Sequence, residues 1–470
     1  MNRQSWSSQF TYILAVAGAT VGFGATWRFP YLVGQNGGGA YVLVFIIAMI
    51  VIGVPMLLVE NAIGRRAHTN AIDAFGGEVN GKKISKLWRI VGYSGIVGAF
   101  GIMAYYMVIG GWVIDYIYSI ISGTLSLGGG VLSADVTASF YEEQINGSPI
   151  AISIMTLIFV LINYIILTSG AVKGLELAAK YLMPLLFLLM LGMVARNLSL
   201  DGAMEGIKYY LTPDFSKISS GLFIDVLGQV FFALSLGFAT ILTLSSFVKK
   251  DESLVRTSVF TGVLNTLIAV VAGFMIFPSL FTFGIEPNAG PNLVFKSLPI
   301  VFSSMTGGTI FALMFFALLL FAALTTSLPI YEAIITALEE KTKLKRQSCI
   351  LLTLGVIFVL GNIPCALSSN VLADVRVFGM SIFDAFDNIS ANSYHRISHN
   401  QNPALVRESF NLKAFSLKSW INSSKCTIFT PQYCTIKLSN SSLYGLLHLL
   451  ITSPRSSIPC ANKALILSKI

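Results

Sequence analysis

The chain has 470 residues, of which 54% are hydrophobic and only 11% are charged, and its mean hydropathy is +0.75. Soluble domains average about 25% charged residues, so this composition excludes a soluble enzyme, a disordered chain and a disulfide scaffold and predicts a polytopic membrane protein. The net charge of +9 is uneven, because residues 1–390 carry +1 and residues 391–470 carry +8. The basic charge belongs to the tail and gives no reason to expect a nucleic-acid partner.

The apolar runs of the chain predict nine complete membrane spans, since a transmembrane helix needs about 20 mainly apolar residues. A tenth span begins near residue 377 and loses its apolar character at residue 391. With the N-terminus placed in the cytoplasm, the inner side carries 16 Lys and Arg residues against 6 on the outer side. The excess of positive charge predicts a cytoplasmic N-terminus. The expected location is the cytoplasmic (inner) membrane. The nine spans are 10–33, 40–63, 88–121, 150–168, 175–195, 222–248, 255–283, 306–338 and 348–364.

Two of these spans carry helix-breaking residues at corresponding places. Span 1 contains Gly18, Gly22 and Gly24, and span 6 contains Ser235 and Gly237. The two are the first members of successive sets of five spans, a pattern that indicates an inverted-repeat transporter with a site near the middle of the membrane. The alternative is that glycine is simply common in membrane helices.

The last 80 residues differ in composition from the rest of the chain. Residues 391–470 contain 14 serines, three of the four histidines, three of the five cysteines and a single glycine, Gly445. The change falls inside a span, whereas a natural domain boundary falls in a loop. We interpret 391–470 as an aberrant or non-homologous tail, expected to be disordered and produced by a shifted reading frame. A divergent cytoplasmic tail is the alternative.

A series of motifs in residues 1 to about 390 carries a family resemblance. They are GATVGFGATWRFPYLVGQNGGGAYVLVF (18–45), GVPMLLVENAIGR (53–65), AYYMVIGGW (104–112), QVFFALSLGF (229–238), FAALTTSLPIYEAI (321–334) and FDAFDN (383–388). In this order and spacing they resemble the neurotransmitter:sodium symporter family. The resemblance implies an all-α polytopic fold of the leucine-transporter type, an inverted five-plus-five helix repeat with helices 1 and 6 unwound midway and, here, a truncated helix 10. It also implies that residues 1–390 form a sodium symporter domain in the lipid bilayer.

The resemblance implies a sodium site between helices 1 and 8. Its ligands would be the backbone oxygens of Gly18, Val21 and Ala322 and the hydroxyls of Thr325 and Thr326. Carbonyl and hydroxyl oxygens suit a hard cation. Alternatively, the two threonines bond only to the preceding helical turn.

The family's other sodium site lacks two side-chain oxygens here. Its positions in helices 1 and 6 are Ala25 and Ala233, and Asn265 in helix 7 remains. Three chloride ligands of the family are also replaced, at Phe45, Ala233 and Ala269, with no carboxylate in their place, whereas Gln229 and Asn265 are kept. An unpaired buried charge is costly. A protein that has lost both the cation ligands and the chloride ligands avoids this cost, because neither ion is then buried without the other. We expect one coupled sodium and no chloride; a site rebuilt from backbone carbonyls is the alternative.

The family's substrate pocket implies recognition of a neutral amino acid. The carboxylate would meet the freed amides of helix 1 and a tyrosine hydroxyl, and the amine would meet backbone carbonyls. No charged residue faces the pocket, so a charged substrate side chain would be unpaired. The implied substrate residues are Ala19, Phe23, Gly24, Ile102, Tyr106, Phe232, Ser235, Phe238 and Ile330.

Charged residues inside a membrane are candidates for function. By resemblance, Arg28 and Asp387 close an outer gate, and Arg3 and Glu340 close an inner gate. Arg3 could instead be an ordinary positive-inside charge. Glu60 is interpreted as structural or interfacial.

These features predict sodium-coupled symport of a neutral amino acid or related small substrate by alternating access. Sodium is the coupling ion, and no other cofactor is expected. An enzyme is disfavoured because His68 is the only histidine before the tail, and a channel is disfavoured by two opposed gates. The alternative is a truncated, transport-defective product of a frameshifted symporter gene.

Overall fold

The computed structural model describes residues 5–76, 78–79, 82–127, 130–287 and 293–390. These residues are largely helical, as predicted, with one short antiparallel hairpin of β1 (Glu78–Val79) and β2 (Lys82–Lys83). The predicted tail 391–470 and the predicted truncation of helix 10 lie outside the described residues. The helices are α1 (Gln9–Thr20), α2 (Gly24–Gln35), α3 (Gly39–Ala67), α4 (Ala71–Ala74), α5 (Lys86–Ser122), α6 (Ala134–Ser139), α7 (Pro149–Leu167), α8 (Ala171–Leu198), α9 (Ala203–Leu211), α10 (Ser220–Ala233), α11 (Thr240–Ser245), α12 (Leu254–Thr282), α13 (Val294–Ser304), α14 (Gly308–Thr342), α15 (Arg346–Ala366) and α16 (Ile382–Ser390).

Within the described ranges, seven helices are long and apolar enough to cross a membrane: α3, α5, α7, α8, α12, α14 and α15. The pair α1 and α2 forms an eighth candidate span that is bent by 52°. The predicted span 222–248 is divided between α10 and α11. The helices thus follow the order of the spans predicted from hydrophobicity.

The most buried helices lie at the centre of the bundle. About 78% of the residues in the most apolar stretch of α5 are buried inside the protein, compared with 33% in α7 and in α8. Exposed apolar side chains such as Leu161 on α7 and Leu188 on α8 suit contact with lipid. The backbones of α5 and α7 approach closely at Gly111, where a Cβ atom would lie 2.8 Å from the amide nitrogen of Thr156. Central α5 and α14 pack against each other, and α14 also packs against α1 and α11 of the broken spans.

Candidate substrate and sodium sites

Both broken spans interrupt their helices at the centre of the bundle. The α1–α2 break lies between Thr20 and Gly24, and the second helix of the pair begins with a π-helical turn. Between α10 and α11, Ser235, Gly237 and Ala239 have φ angles of 52°, 83° and 62°. This left-handed conformation ends a helix and is uncommon for residues with a side chain. The interruptions release backbone amides and carbonyls from helical hydrogen bonds.

The two breaks border one cavity, which is also lined by α5 and α14. It has about 310 Å³ of empty space, including its open side. Thr20, Gly22 and Thr326 complete its lining. All nine residues that the resemblance assigns to the substrate line this cavity, namely Ala19, Phe23, Gly24, Ile102, Tyr106, Phe232, Ser235, Phe238 and Ile330.

Polar groups in the cavity come from the break in helix 1 and from facing helices. The Phe23 amide approaches the Tyr106 hydroxyl oxygen at 3.5 Å, and their rings lie 4.8 Å apart. The Ser235 hydroxyl donates to the carbonyl of Ala19 at 2.9 Å. A cluster of amide, hydroxyl and carbonyl groups inside an apolar wall can orient a small zwitterion and exclude water.

Three of the predicted sodium ligands, Gly18, Thr325 and Thr326, meet between α1 and α14. The Thr326 hydroxyl donates to the carbonyl of Gly18 at 3.1 Å. The Thr325 hydroxyl donates to carbonyls one turn back, including that of Ala322 at 3.0 Å. Val21 follows directly after α1 and is fully buried. The Thr325 hydroxyl thus bonds to the preceding turn of its own helix, as in the alternative interpretation of the two threonines. The Thr326 hydroxyl instead bonds to the broken helix α1.

At the positions of the family's other sodium site, Ala25 and Ala233 are buried and present only methyl groups. The remaining polar side chain is that of Asn265 on α12. Its Nδ2 atom donates to the carbonyl of Thr20 at 2.9 Å and to that of Ala233 at 3.2 Å. A hydrogen-bond donor therefore faces these two carbonyls.

The outer-gate residues lie in one cluster. Arg28 is only 7% exposed; its Nε atom donates to the Tyr31 hydroxyl at 3.3 Å, and its Cζ atom lies 4.7 Å from the ring centroid of Phe232. Asp387 lies in α16 and interacts electrostatically with both Arg28 and Tyr105. The two residues of the predicted outer gate are therefore close enough to influence each other's charge.

Of the predicted inner gate, Arg3 lies outside the described residues. Glu340 accepts hydrogen bonds at 2.8 Å from the backbone amide and from the side chain of Asn70, which precedes α4. Trp6 is fully buried, and its indole donates to the carbonyl of Leu244 at 2.9 Å. Glu340 thus joins the end of α14 to the loop after α3.

Comparison with known proteins identifies the family. The sequence model of the Sodium:neurotransmitter symporter family matches residues 3–130 and 147–397. The chain belongs to the Sodium:neurotransmitter symporter family. It is similar to a sodium-dependent transporter of Haemophilus influenzae, with 64% identity over 392 residues, covering 83% of this chain and 86% of the relative. It is 38% identical to the sodium-dependent transporter YhdH of Bacillus subtilis, covering 81% and 82% of the two chains.

A solved structure of the same type is MhsT in complex with L-phenylalanine. The TM-score is 0.75 and the identity is 35%, over 84% of this chain and 88% of MhsT. The family resemblance and the all-α, multi-spanning membrane fold predicted from the sequence are confirmed. Sodium:neurotransmitter symporters are sodium-dependent transporters rather than enzymes, which agrees with the predicted class. Family membership does not decide the chloride prediction.

Two carboxylates outside the cavity lining of this Sodium:neurotransmitter symporter make specific contacts that the sequence did not reveal. Glu60 on α3 accepts a hydrogen bond at 2.8 Å from the amide of Gly237, inside the α10–α11 break. Asp73 on α4 pairs with Lys341 at 2.7 Å and with Arg89 at 3.3 Å. Glu60 was singled out in the sequence as a carboxylate in an apolar span and interpreted as structural or interfacial, but its bond to the helix break was not predicted. Asp73 offers no comparable signal, because its partners are distant in the sequence.

Proposed function

We propose that the chain is a sodium-coupled symporter of a neutral amino acid that works by alternating access. The observation that carries this proposal is the common cavity formed by all nine predicted substrate residues between the two helix breaks. The orientation proposed for the symporter is a cytoplasmic N-terminus in the cytoplasmic (inner) membrane. The substrate and the sodium ion would occupy adjacent sites that share the broken helix 1.

The substrate carboxylate would bind at the start of α2. The amides of Phe23 and Gly24 lie at the N-terminal end of this helix segment, where free N–H groups and the helix dipole favour an anion. The Tyr106 hydroxyl, near the Phe23 amide, would donate to the same carboxylate. The amine would meet the carbonyls near Ala19, Phe232 and Ser235.

The side-chain end of the cavity favours an apolar amino acid. Ile102, Phe238 and Ile330 line it, together with the ring of Phe232, and none of its lining residues is charged. A charged substrate side chain would have to leave water without a partner, which is costly. The L-phenylalanine in MhsT, a family relative, supports this class of substrate.

Sodium would bind to the oxygens of Gly18, Val21, Ala322, Thr325 and Thr326. The hydroxyl oxygen of Thr326 already lies 3.1 Å from the Gly18 oxygen, so rotation of the hydroxyl proton away from Gly18 would leave lone pairs of both oxygens available to a cation. We propose one coupled sodium and no chloride, because the second site presents methyl groups in place of oxygens. Bound sodium would hold α1 against α14, and substrate would then permit closure at Arg28 and Asp387.

The test is uptake of labelled neutral amino acids by proteoliposomes with and without an inward sodium gradient. Tyr106→Phe should lower the apparent affinity for amino acid. Tyr331→Phe is the matched control, since Tyr331 is fully buried in α14 and its hydroxyl has no hydrogen-bond partner among the described residues. Uptake at the same rate with and without the sodium gradient would contradict the proposal. An equal change of apparent affinity in Tyr106→Phe and Tyr331→Phe would contradict it as well.

We further propose that residues 391–470 are a frameshifted tail and that the chain as given transports poorly, because helix 10 closes the second repeat. The match to the family model ends at residue 397, near the change in composition, which supports this proposal. Reading the gene in its other two frames beyond codon 390 should reveal an apolar stretch of about 20 residues. Equal uptake by this chain and its frame-restored version would contradict the proposed defect.

A further inference from the structure

Asn265 lies where the first halves of the two broken helices end. Thr20 is the last residue of α1 and Ala233 is the last residue of α10. Asn265 is fully buried, and its amide nitrogen donates to both of their carbonyls, at 2.9 and 3.2 Å. Carbonyls in the last turn of a helix have no partner further along that helix. The side chain of Asn265 therefore crosslinks two helix ends that no covalent segment joins directly.

The carbonyl oxygens around the Asn265 side chain are best stabilised by a group with positive charge or partial positive charge. The C-terminal end of a helix carries a partial charge of about −0.5, and the ends of α1 and α10 both present carbonyls to Asn265. A bound cation could satisfy them, but it would bring a net charge that requires a counter-charge in a buried site. An amide NH₂ group supplies partial positive charge without net charge. The neighbouring positions fit a neutral arrangement, because Ala25 and Ala269 are buried and carry no charge.

A second carboxamide makes a comparable link nearby. Gln229 on α10 is fully buried, and its Nε2 atom donates to the carbonyl of Gly24 at the start of α2 at 2.6 Å. Both halves of broken helix 1 are thus tied by neutral amides, to α10 and α12. The opposite atoms, Oδ1 of Asn265 and Oε1 of Gln229, have no hydrogen-bond partner among the described residues.

The Asn265 amide has two possible orientations, one that needs no bound ion and one that requires a cation. With Nδ2 towards Thr20 and Ala233, donor meets acceptors and the site needs no ion. With the amide reversed, Oδ1 would join two carbonyl oxygens, and three acceptors would face one another without a donor. That arrangement is stable only around a cation, so an ion and the observed hydrogen bonds are mutually exclusive.

We propose that Asn265 is a positioning residue that takes the place of a coupling cation: its amide holds the ends of α1 and α10 together, and no sodium binds at this point. The inference rests on the single coupled sodium of the proposed function and deepens it, because it names the group that holds the broken helices where the second ion is absent; it can be tested without knowing the substrate. It rests on the two hydrogen bonds that Nδ2 of Asn265 donates and on the Oδ1 atom that has no partner among the described residues. The consequence is that the shape of the cavity between the breaks is set without an ion at Asn265.

Equilibrium binding of radioactive sodium to the purified full-length chain tests this inference. Asn265→Asp keeps the size of the side chain but replaces the donor with a carboxylate facing two carbonyls. We expect this variant to bind one more sodium ion per chain than the wild type. Asn362→Asp is the matched control: Asn362 is fully buried, and its Nδ2 atom donates to the carbonyls of Met103 and Ala104, both at 2.8 Å and both within α5. The control should bind the same number of sodium ions as the wild type.

An unchanged sodium count in Asn265→Asp, or an equal gain in Asn362→Asp, would overturn the inference. If Asn265→Asp does not yield folded protein, Asn265→Ala decides. It should keep the sodium count of the wild type, because no ion is lost with the amide; loss of one bound sodium would identify Asn265 as an ion ligand and refute the inference. A wild-type chain that binds no sodium would instead refute the proposed sodium coupling, while the gain in Asn265→Asp would still test the role of Asn265.

Discussion

Gly22, in the break between α1 and α2, gives the sharpest test of the cavity. A Cβ atom at this position would lie 2.3 Å from the Thr326 hydroxyl oxygen, 2.9 Å from the Thr326 Cβ atom and 2.7 Å from the Tyr106 hydroxyl oxygen. Gly22→Ala must therefore displace one side chain proposed to bind sodium and one proposed to bind the substrate carboxylate. Overpacking of this kind costs about 1–3 kcal/mol. Since about 1.4 kcal/mol is a factor of ten, we expect the affinity for amino acid to fall by about 5- to 150-fold.

The assay is equilibrium binding of labelled amino acid in sodium, with thermal unfolding measured in parallel. The matched control is Gly355→Ala on α15, where an added Cβ atom meets nothing within 4 Å. The control should leave the affinity unchanged. An unchanged affinity in Gly22→Ala would refute the assignment of this cavity to the substrate, because both neighbours would have moved without consequence.

Three further predictions concern sodium, the outer gate and pH. Combined Thr325→Ala and Thr326→Ala should abolish sodium-driven uptake, and the wild-type dependence on sodium should show a Hill coefficient near one; a value approaching two contradicts a single site. Arg28→Ala and Asp387→Ala should each strongly reduce uptake, with the double variant no worse than the worse single one, because the pair acts as a unit; additive losses would show separate roles. Burial raises the pKa of Asp73, but hydrogen bonds and charges from its neighbours outweigh burial and hold the pKa below its usual value. The stabilising effect of the Asp73 carboxylate is present at neutral pH and disappears as pH falls. Asp73→Asn should therefore lower the unfolding temperature at pH 7 and have little effect well below the ordinary carboxyl pKa of about 4. An equal loss of unfolding temperature at both pH values would contradict this prediction.

The sequence was sufficient to predict which residues line the cavity, but not which hydrogen bonds hold the broken helices in place. Glycines and apolar runs identified the two broken spans, and ordered motifs brought the nine substrate residues to one cavity. The hydrogen bond between Glu60 and Gly237 was not predictable, since its partners lie 177 positions apart. The amide orientation of Asn265 was equally hidden, because the same residue type can present either an oxygen or an N–H group. Pattern reasoning detects periodicity along the chain, whereas these links depend on tertiary packing.

The cavity draws its walls from two groups of helices that are held differently. Glu60 on α3 and Asn265 on α12 fasten the broken helices to their neighbours, whereas Tyr106 and Ile330 stand on the long helices α5 and α14. An amino acid bound as proposed would therefore lie between two sets of helices and set the distance between them. A small amino acid would leave the opposing walls apart, and a bulky one would hold them open, although each could bind well to one wall. Under the proposed function, the amino acid that binds most tightly need not be the one that is carried fastest.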